Sequence, residues 1–183
     1  MTEQRGSLIT VDPERCTGCH SCELACAVAH SRSGALFGAM LAQEPLSPRN
    51  RVVAVAGVRF ATQCRQCEDA PCVKICPTGA TFRTETFTAV NPNVCIACKL
   101  CMMVCPFGAI HMSAQHVGNR VKQAATKCDL CVERPEGPAC VEACPTHALS
   151  LTVPRQVMEA ALKSSAERFL EALQSQSKIS KES

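Results

Sequence analysis

Apolar residues in this chain come in short bursts, and only near the C-terminus does a sustained helical period set in. Residues 8–11, Leu-Ile-Thr-Val, read as a short strand stopped by Asp12-Pro13. The Ala-rich run 23–30 predicts a helix. Residues 31–50 contain Gly34, Gly38, Pro45 and Pro48 and predict a loop-rich insertion with one helical turn through 35–42. Its apolar side chains, Leu36, Phe37, Met40 and Leu41, are expected to cover neighbouring groups from water rather than to dock a partner. Residues 51–60 are valine-rich and predict one strand, while 81–83 and 86–88 flank Thr84-Glu85 as a hairpin ending at Asn91-Pro92. Two further strands are expected at 109–112 and 148–153. After Val153-Pro154, residues Met158, Leu162, Ala166, Phe169 and Leu173 recur at steps of three or four. They predict a long amphipathic helix over 154–173 whose stripe packs on the protein's own body. The polar stretch 174–183 is expected to be a disordered tail.

Between the bursts stand the cysteines, in four groups of four that use all 16. They are Cys16-x2-Cys19-x2-Cys22-x3-Cys26, Cys64-x2-Cys67-x4-Cys72-x3-Cys76-Pro77, Cys95-x2-Cys98-x2-Cys101-x3-Cys105-Pro106 and Cys128-x2-Cys131-x8-Cys140-x3-Cys144-Pro145. Two-residue gaps wind a loop tightly enough for three thiolates to converge on one cubane, while the fourth points away and ligates a neighbouring cluster. That fourth cysteine is expected at the start of a helix, where a following proline loses no hydrogen bond. This run holds [4Fe–4S] clusters, so four groups predict four clusters. Strand, cysteine loop, short helix and strand then form an internal repeat.

Spacing also bears on pairing. Groups two and three are 18 residues apart, groups one and two 37, and groups three and four 22. The economical arrangement pairs two with three and joins one to four across the chain; pairing one with two and three with four would demand a longer loop inside one module. With fourth cysteines exchanged, the expected ligand sets are Cys16, Cys19, Cys22 and Cys144; Cys26, Cys128, Cys131 and Cys140; Cys64, Cys67, Cys72 and Cys105; and Cys76, Cys95, Cys98 and Cys101. The expected fold class is α+β: two bacterial-ferredoxin-like two-cluster modules of short strands and helices, one nested inside the other, plus a C-terminal helix. The outer module spans 8–62 and 107–153 and the inner one 63–106.

Aromatic residues are 3 %, with no Trp and no Tyr, so the clusters themselves must serve as the core and the metal-free chain is expected not to fold. A cysteine-rich chain of this size would also suit a secreted disulfide scaffold. Residues 1–15 carry no secretory pattern, however, and no run of about 18 apolar residues predicts a membrane span. The expected setting is cytoplasmic and reducing, where clustered cysteines serve metals. The formal charge of +3 counts cysteine as neutral. Thiolates and oxidised cubane cores bring the holoprotein to about −5. With no run of five basic residues, a nucleic-acid partner is excluded.

Two decoys can be set aside. Cys16-Thr17-Gly18-Cys19-His20 matches the c-type haem pattern, but haem would strand Cys22 and Cys26, and His20 is expected as an exposed loop residue. Zinc suits paired C-x2-C, yet four clustered cysteines ending in proline, repeated, are the cubane pattern. Lys99 and Lys127 adjoin cysteines, and a cation there would stabilise a reduced cluster, unless the lysine is merely solvated. His30, His111, His116 and His147 share no spacing and read as surface or hydrogen-bonded residues rather than ligands.

The quartets, with Gln66-Cys67-Glu68-Asp69-Ala70-Pro71-Cys72, Cys98-Lys99-Leu100-Cys101, Lys127-Cys128-Asp129-Leu130-Cys131 and Gly137-Pro138-Ala139-Cys140, resemble the four-cluster iron–sulfur subunits of the dimethyl-sulfoxide-reductase type across residues 8–152. The resemblance implies the nested pairing. It also implies four cubanes, because Cys101 is present where members with a [3Fe–4S] cluster replace a group-three cysteine. A C-terminal membrane helix like that of the respiratory formate dehydrogenases' subunit is not expected. It is most similar to the soluble ferredoxin-like subunits that accompany carbon monoxide dehydrogenase, cytoplasmic formate dehydrogenase and hydrogenase. Residues 22–31, Cys-Glu-Leu-Ala-Cys-Ala-Val-Ala-His-Ser, lean toward the first.

The implied function is relay of low-potential electrons from a catalytic oxidoreductase, carbon monoxide dehydrogenase first and formate dehydrogenase next, to an acceptor such as a hydrogenase. Any membrane association would come through a partner. No phosphate-cradling loop, dinucleotide fingerprint or nucleophile–base motif is legible, so no substrate site is expected. A catalytic cluster with an open iron would need an incomplete ligand set, which four full quartets do not leave. A redox-sensing or structural metal protein would differ by not feeding electrons to a partner enzyme.

Overall fold

The computed structural model describes residues 6–179, with side chains through Leu170. Its strands are β1 (Leu8–Val11), β2 (Asn50–Val55), β3 (Val58–Gln63), β4 (Thr81–Arg83), β5 (Thr88–Val90), β6 (His111–Val117), β7 (Arg120–Thr126) and β8 (Leu149–Thr152). The helices are α1 (Ser21–Ala29), α2 (Leu36–Leu41), α3 (Pro71–Lys74), α4 (Leu100–Met103), α5 (Ala139–Glu142) and α6 (Pro154–Ile179). Small strands and short helices of this kind are the mixed architecture expected of ferredoxin-like domains.

The strands form four separate antiparallel pairs: β1–β8, β2–β3, β4–β5 and β6–β7. The first joins the two ends of the cysteine-bearing region, in register from Leu8↔Thr152 to Val11↔Leu149. Thr10 Oγ1 reinforces it through hydrogen bonds with the hydroxyls of Ser150 (2.9 Å) and Thr152 (2.8 Å). Helix α1 packs against α5, so the same two ends also meet through their helices.

Several local expectations change. The single strand over 51–60 is instead the hairpin β2–β3, because Ala56 (φ +50°) and Gly57 (φ +82°) make a two-residue turn with both φ positive, which suits the twist of a hairpin. The hairpin β4–β5 forms, but its second strand starts at Thr88 rather than residue 86. Thr84 Oγ1 accepts the N–H groups of Thr86 (3.3 Å) and Phe87 (3.0 Å), drawing both into the loop. β6 replaces the strand at 109–112 and pairs with β7, for which no strand was expected; the turn signal is Gly118-Asn119.

The fourth cysteines do not begin helices. α3, α4 and α5 carry the third cysteines, Cys72, Cys101 and Cys140, and end first, leaving Cys76, Cys105 and Cys144 one residue beyond the caps Ile75, Val104 and Ala143. The reason is steric: proline disfavours the α region for the residue before it. Group one has Ala27 in that place, and α1 runs on through Cys26 to Ala29.

The buried apolar residues among those described are eight cysteines, nine alanines and only Ile9, Ile110, Leu130 and Leu149 as larger side chains. One core joins Ile9, Ala61, Leu130 and Leu149 with Cys22, Cys64, Cys128 and Cys140. A second joins Ala70, Ile110 and Ala125 with Cys72 and Cys101. Each large aliphatic contributes about 1.5–3 kcal/mol; four are too few to order a chain of this length.

Two apolar groups expected inside lie outside. The α6 stripe does not pack on the body: Met158, Leu162 and Phe169 are 65 %, 69 % and 64 % exposed. The helix also continues to Ile179, past residue 173, since the segment has no Gly or Pro to stop it. The side chain of Leu173 and all of residues 180–183 lie outside the described residues. In α2 only Ala39 is buried, and Phe37, Met40 and Leu41 face solvent rather than covering anything, because one short turn seats a single small side chain. No helix among the described residues is long and apolar enough to cross a membrane.

Stripping metal with a chelator under reducing conditions is expected to abolish the native amide-proton dispersion of residues 8–152; an iron-free chain that retains it would contradict a metal-built core. Ile9→Ala is expected to cost the holoprotein about 2–4 kcal/mol, read from the denaturant midpoint. A loss below about 0.5 kcal/mol would show that the β1–β8 core carries little of the fold.

Candidate metal centre

One backbone device recurs in all four cysteine loops. The residue before the second cysteine is left-handed each time: Gly18 (φ +70°), Gln66 (φ +52°), Ala97 (φ +57°) and Leu130 (φ +63°). Only one of these is glycine, so three carry a conformation costing about 1–2 kcal/mol for an L-residue, held in place by the surrounding fold. In groups one and three the residue after the second cysteine is left-handed too, and His20 (φ +64°) and Lys99 (φ +67°) are the N-caps of α1 and α4.

These turns aim amide N–H groups at sulfur. Gln66 N donates to Cys64 Sγ and Leu130 N to Cys128 Sγ, both at 3.4 Å. Every fourth cysteine also accepts an amide. Arg49 N serves Cys26 (3.3 Å), Thr81 N serves Cys76 (3.4 Å), Ala109 N serves Cys105 (3.4 Å) and Ala148 N serves Cys144 (3.2 Å). Such donors stabilise charge on sulfur and tune the potential of a bound cluster.

The structure brings cysteines distant in sequence together. Cys64, Cys67, Cys72 and Cys105 line one space. Cys76, Cys95, Cys98 and Cys101 line a second. Cys16, Cys19, Cys22 and Cys144 line a third. Cys26 and Cys131 flank His30, whose ring lies 3.7 Å from Cys26 Sγ and 4.0 Å from Cys131 Sγ; Cys140 senses the charges of Cys26, Cys131 and Cys22, and Cys128 those of Cys140 and Cys26.

The donor sets fit a polynuclear cluster better than a single ion. Tetrahedral zinc, with Zn–S near 2.3 Å, requires sulfurs about 3.8 Å apart. Among the described residues no three cysteine sulfurs lie within 4.8 Å of one another. The acidities agree. Burial pushes the Cys22 thiol up to about 11 and Cys140 up to about 12, and raises Cys72, Cys101 and Cys128. Burial also raises Cys76, but amides of Thr81 and Thr78 outweigh it and bring that thiol down to about 7. Thiolates held in so little water need a cation among them, which an iron–sulfur core provides. Thr88 Oγ1 is buried without a protein partner and Thr88 lines the Cys64–Cys105 space, so its hydroxyl could donate a hydrogen bond to a group bound there.

Several supporting residues were not legible as such. Gln66 Nε2 donates to the Cys128 carbonyl (2.8 Å) while its Oε1 accepts from Thr88 N (2.9 Å), tying group two to group four. Lys127, buried rather than solvated, donates Nζ to the carbonyls of Thr88 and Cys128 and places its charge beside Cys72. Lys99, by contrast, is exposed. His30 is a hydrogen-bonded histidine, as its lack of spacing suggested: Nδ1 meets the Cys26 carbonyl at 2.7 Å and Nε2 meets Asp129 Oδ1 at 3.1 Å. Arg49 pairs with the other Asp129 oxygen. Burial disfavours charge on both partners, but the His30 bond and Arg49 hold the Asp129 carboxyl well below the usual range. Asn50 has both side-chain polar atoms buried and unpartnered, on the strand pair that ends at Gln63. His20 is exposed and pairs with Glu23 at 2.9 Å.

Lys127→Met is expected to make a cluster bound beside Cys72 harder to reduce, lowering one potential in a spectroscopically monitored titration. An unchanged or raised potential for that signal would refute the role of the cation. Asp129→Ala leaves Arg49 and His30 without their carboxylate and is expected to cost about 1–3 kcal/mol, measured by holoprotein denaturation. A loss near zero would mean the network is incidental.

Residues 55–153 match the family model of the 4Fe-4S dicluster domain, and residues 9–26 match that of the 4Fe-4S binding domain. The chain is 48 % identical over 153 residues to an iron-sulfur protein of Rhodospirillum rubrum, covering 79 % of this chain and 80 % of that one. It is 43 % identical over 160 residues to the electron transport protein HydN of Escherichia coli K12, covering 82 % and 90 %. It is 35 % identical over 174 residues to hydrogenase-4 component A of the same organism, covering 78 % and 80 %. With its cysteine loops, open sulfur sets and this similarity, the chain belongs to the 4Fe–4S dicluster family of ferredoxin-type electron-transport iron–sulfur proteins.

Proposed function

We propose that the chain is a four-cluster electron wire of the dimethyl-sulfoxide-reductase type, without a substrate site of its own. The observation that carries this is the sharing of single spaces by cysteines far apart in sequence, with Cys144 beside Cys16, Cys19 and Cys22 and Cys105 beside Cys64, Cys67 and Cys72. On this reading the four sets named above are the ligands of four [4Fe–4S] clusters. Groups two and three form an inner module at 63–106, nested in an outer one made by 8–62 and 107–153. The β1–β8 pairing and the α1–α5 contact favour that nesting, since both join the first cysteine region to the last.

When bound, each cubane supplies one-electron redox chemistry within about −700 to +450 mV. The chain's own residues hold and tune it. Amides of Arg49, Thr81, Ala109 and Ala148 favour charge on the fourth cysteines. Lys127 adds a buried positive charge near the Cys72 set, and Gln66 fixes the spacing between groups two and four. The proposed setting is a reducing cytoplasm. The proposed donor is a catalytic subunit such as carbon monoxide dehydrogenase or formate dehydrogenase, with a hydrogenase as acceptor; the names of the relatives, an electron transport protein and a hydrogenase component, favour a redox complex.

Cys144→Ala tests both the count and the exchange. Anaerobically reconstituted protein is expected to fall from about sixteen irons per chain to about twelve. Alkylation should then newly label Cys16, Cys19 and Cys22. Labelling of Cys128, Cys131 and Cys140 instead would mean that each group keeps its own fourth cysteine, and wild-type iron far below sixteen would end the four-cluster reading.

A further inference from the structure

Of the sixteen cysteines, Cys19 and Cys98 are the exposed ones, so two sulfur sets open to the surface. Their surroundings differ. The loop around Cys19 carries both signs, with Asp12, Glu14, Arg15 and His20. The stretch that builds the Cys98 loop carries one: residues 86–128 contain no Asp or Glu at all. Lys99 is exposed next to Cys98. Lys122 donates Nζ to the carbonyls of Asn93 (3.0 Å) and Cys95 (3.1 Å), neutral acceptors that leave its charge standing at the edge of the same loop. Arg120, two residues earlier on β7, shares that face of the strand. The ion pairs among the described residues engage none of these three cations.

Exposed apolar residues stand beside Lys99 on the same loop and on α4. Ile96 is 63 % exposed and Met103 81 %, and Leu100 shares a helix face with Met103 three residues on. Ile96 and Leu100 line the same space as Cys95, Cys98 and Cys101. A basic, partly apolar face on a holoprotein of net charge about −5 runs against the average of the molecule. Its composition is that of an encounter surface, where like charges steer an oppositely charged partner and a small apolar centre holds it.

We propose that the face around Cys98 docks a one-electron carrier protein whose redox centre is ringed by carboxylates. The proposal rests on the wire reading, since it makes the Cys76, Cys95, Cys98 and Cys101 set the point of exchange.

An acidic flavodoxin is the probe, mixed with reduced holoprotein in a stopped-flow experiment over a range of ionic strength. The wild-type rate should fall steeply with salt. The double variant Lys99→Glu, Arg120→Glu should lose about tenfold or more at low salt and most of its salt dependence. Met103→Asp should slow transfer at every ionic strength, while Lys163→Glu with Arg168→Glu, the same charge change on α6, should leave the rate as it was. Iron content and electrons taken up per chain are measured on each protein. Full iron and full uptake with the wild-type rate and salt slope in the double variant would overturn the docking face. Iron or uptake short of four clusters in the wild type would instead overturn the wire reading, whatever the rates.

Discussion

Convergence of thiolates on shared inorganic centres is what the rest of this structure depends on. The interior holds cysteine and alanine where an ordinary domain would hold leucine, isoleucine and phenylalanine. Alanine lets backbone approach closely around each sulfur set, and the metal–sulfur bonds take over the role that apolar burial plays elsewhere. That substitution explains the short elements. A four-residue helix or a three-residue strand pair is marginal in water, yet each here is pinned at a cysteine or beside one.

The second constraint is electrical. Sulfur buried as thiolate has to be compensated, and the chain does so twice over, with the metal core and with backbone amides aimed by left-handed residues. Because the donors are main-chain groups, the residues that supply them can vary: glycine, glutamine, alanine and leucine occupy equivalent positions in the four loops. Side chains then distinguish otherwise similar sites. Lys127 and the Thr88 hydroxyl stand at one set, and the His30–Asp129–Arg49 group beside another.

The parts of this arrangement legible in sequence were those carried by residue type and spacing. The quartets, the scarcity of aromatic residues, the short strands at 8–11 and 148–153 and the long C-terminal helix all followed from local pattern. What escaped was set by turn chemistry and by distant contacts. Ala56-Gly57 folds a valine-rich run back on itself, and a proline after the fourth cysteine ends a helix instead of starting one. Gln66 and Lys127 reach carbonyls 62 and 39 residues away, and no periodicity announces such a reach. The α6 stripe misled for a different reason. Amphipathic spacing says that a face can be buried, and is silent on whether the surface that buries it belongs to the same chain.

The closure of β1 on β8 has a consequence for how the molecule is made. Roughly 120 residues separate Cys22 from Cys144, which lines the same space. A ribosome needs on the order of ten seconds to cover that stretch. If Cys144 completes the first trio as proposed, the earliest thiols spend that interval without their fourth ligand, while Cys64, Cys67, Cys72 and Cys105 are complete well before. The nascent chain is therefore most open to oxygen at its N-terminal end. Whatever escorts iron and sulfide to it must either arrive after translation is nearly done or shield that first trio until the last strand is delivered.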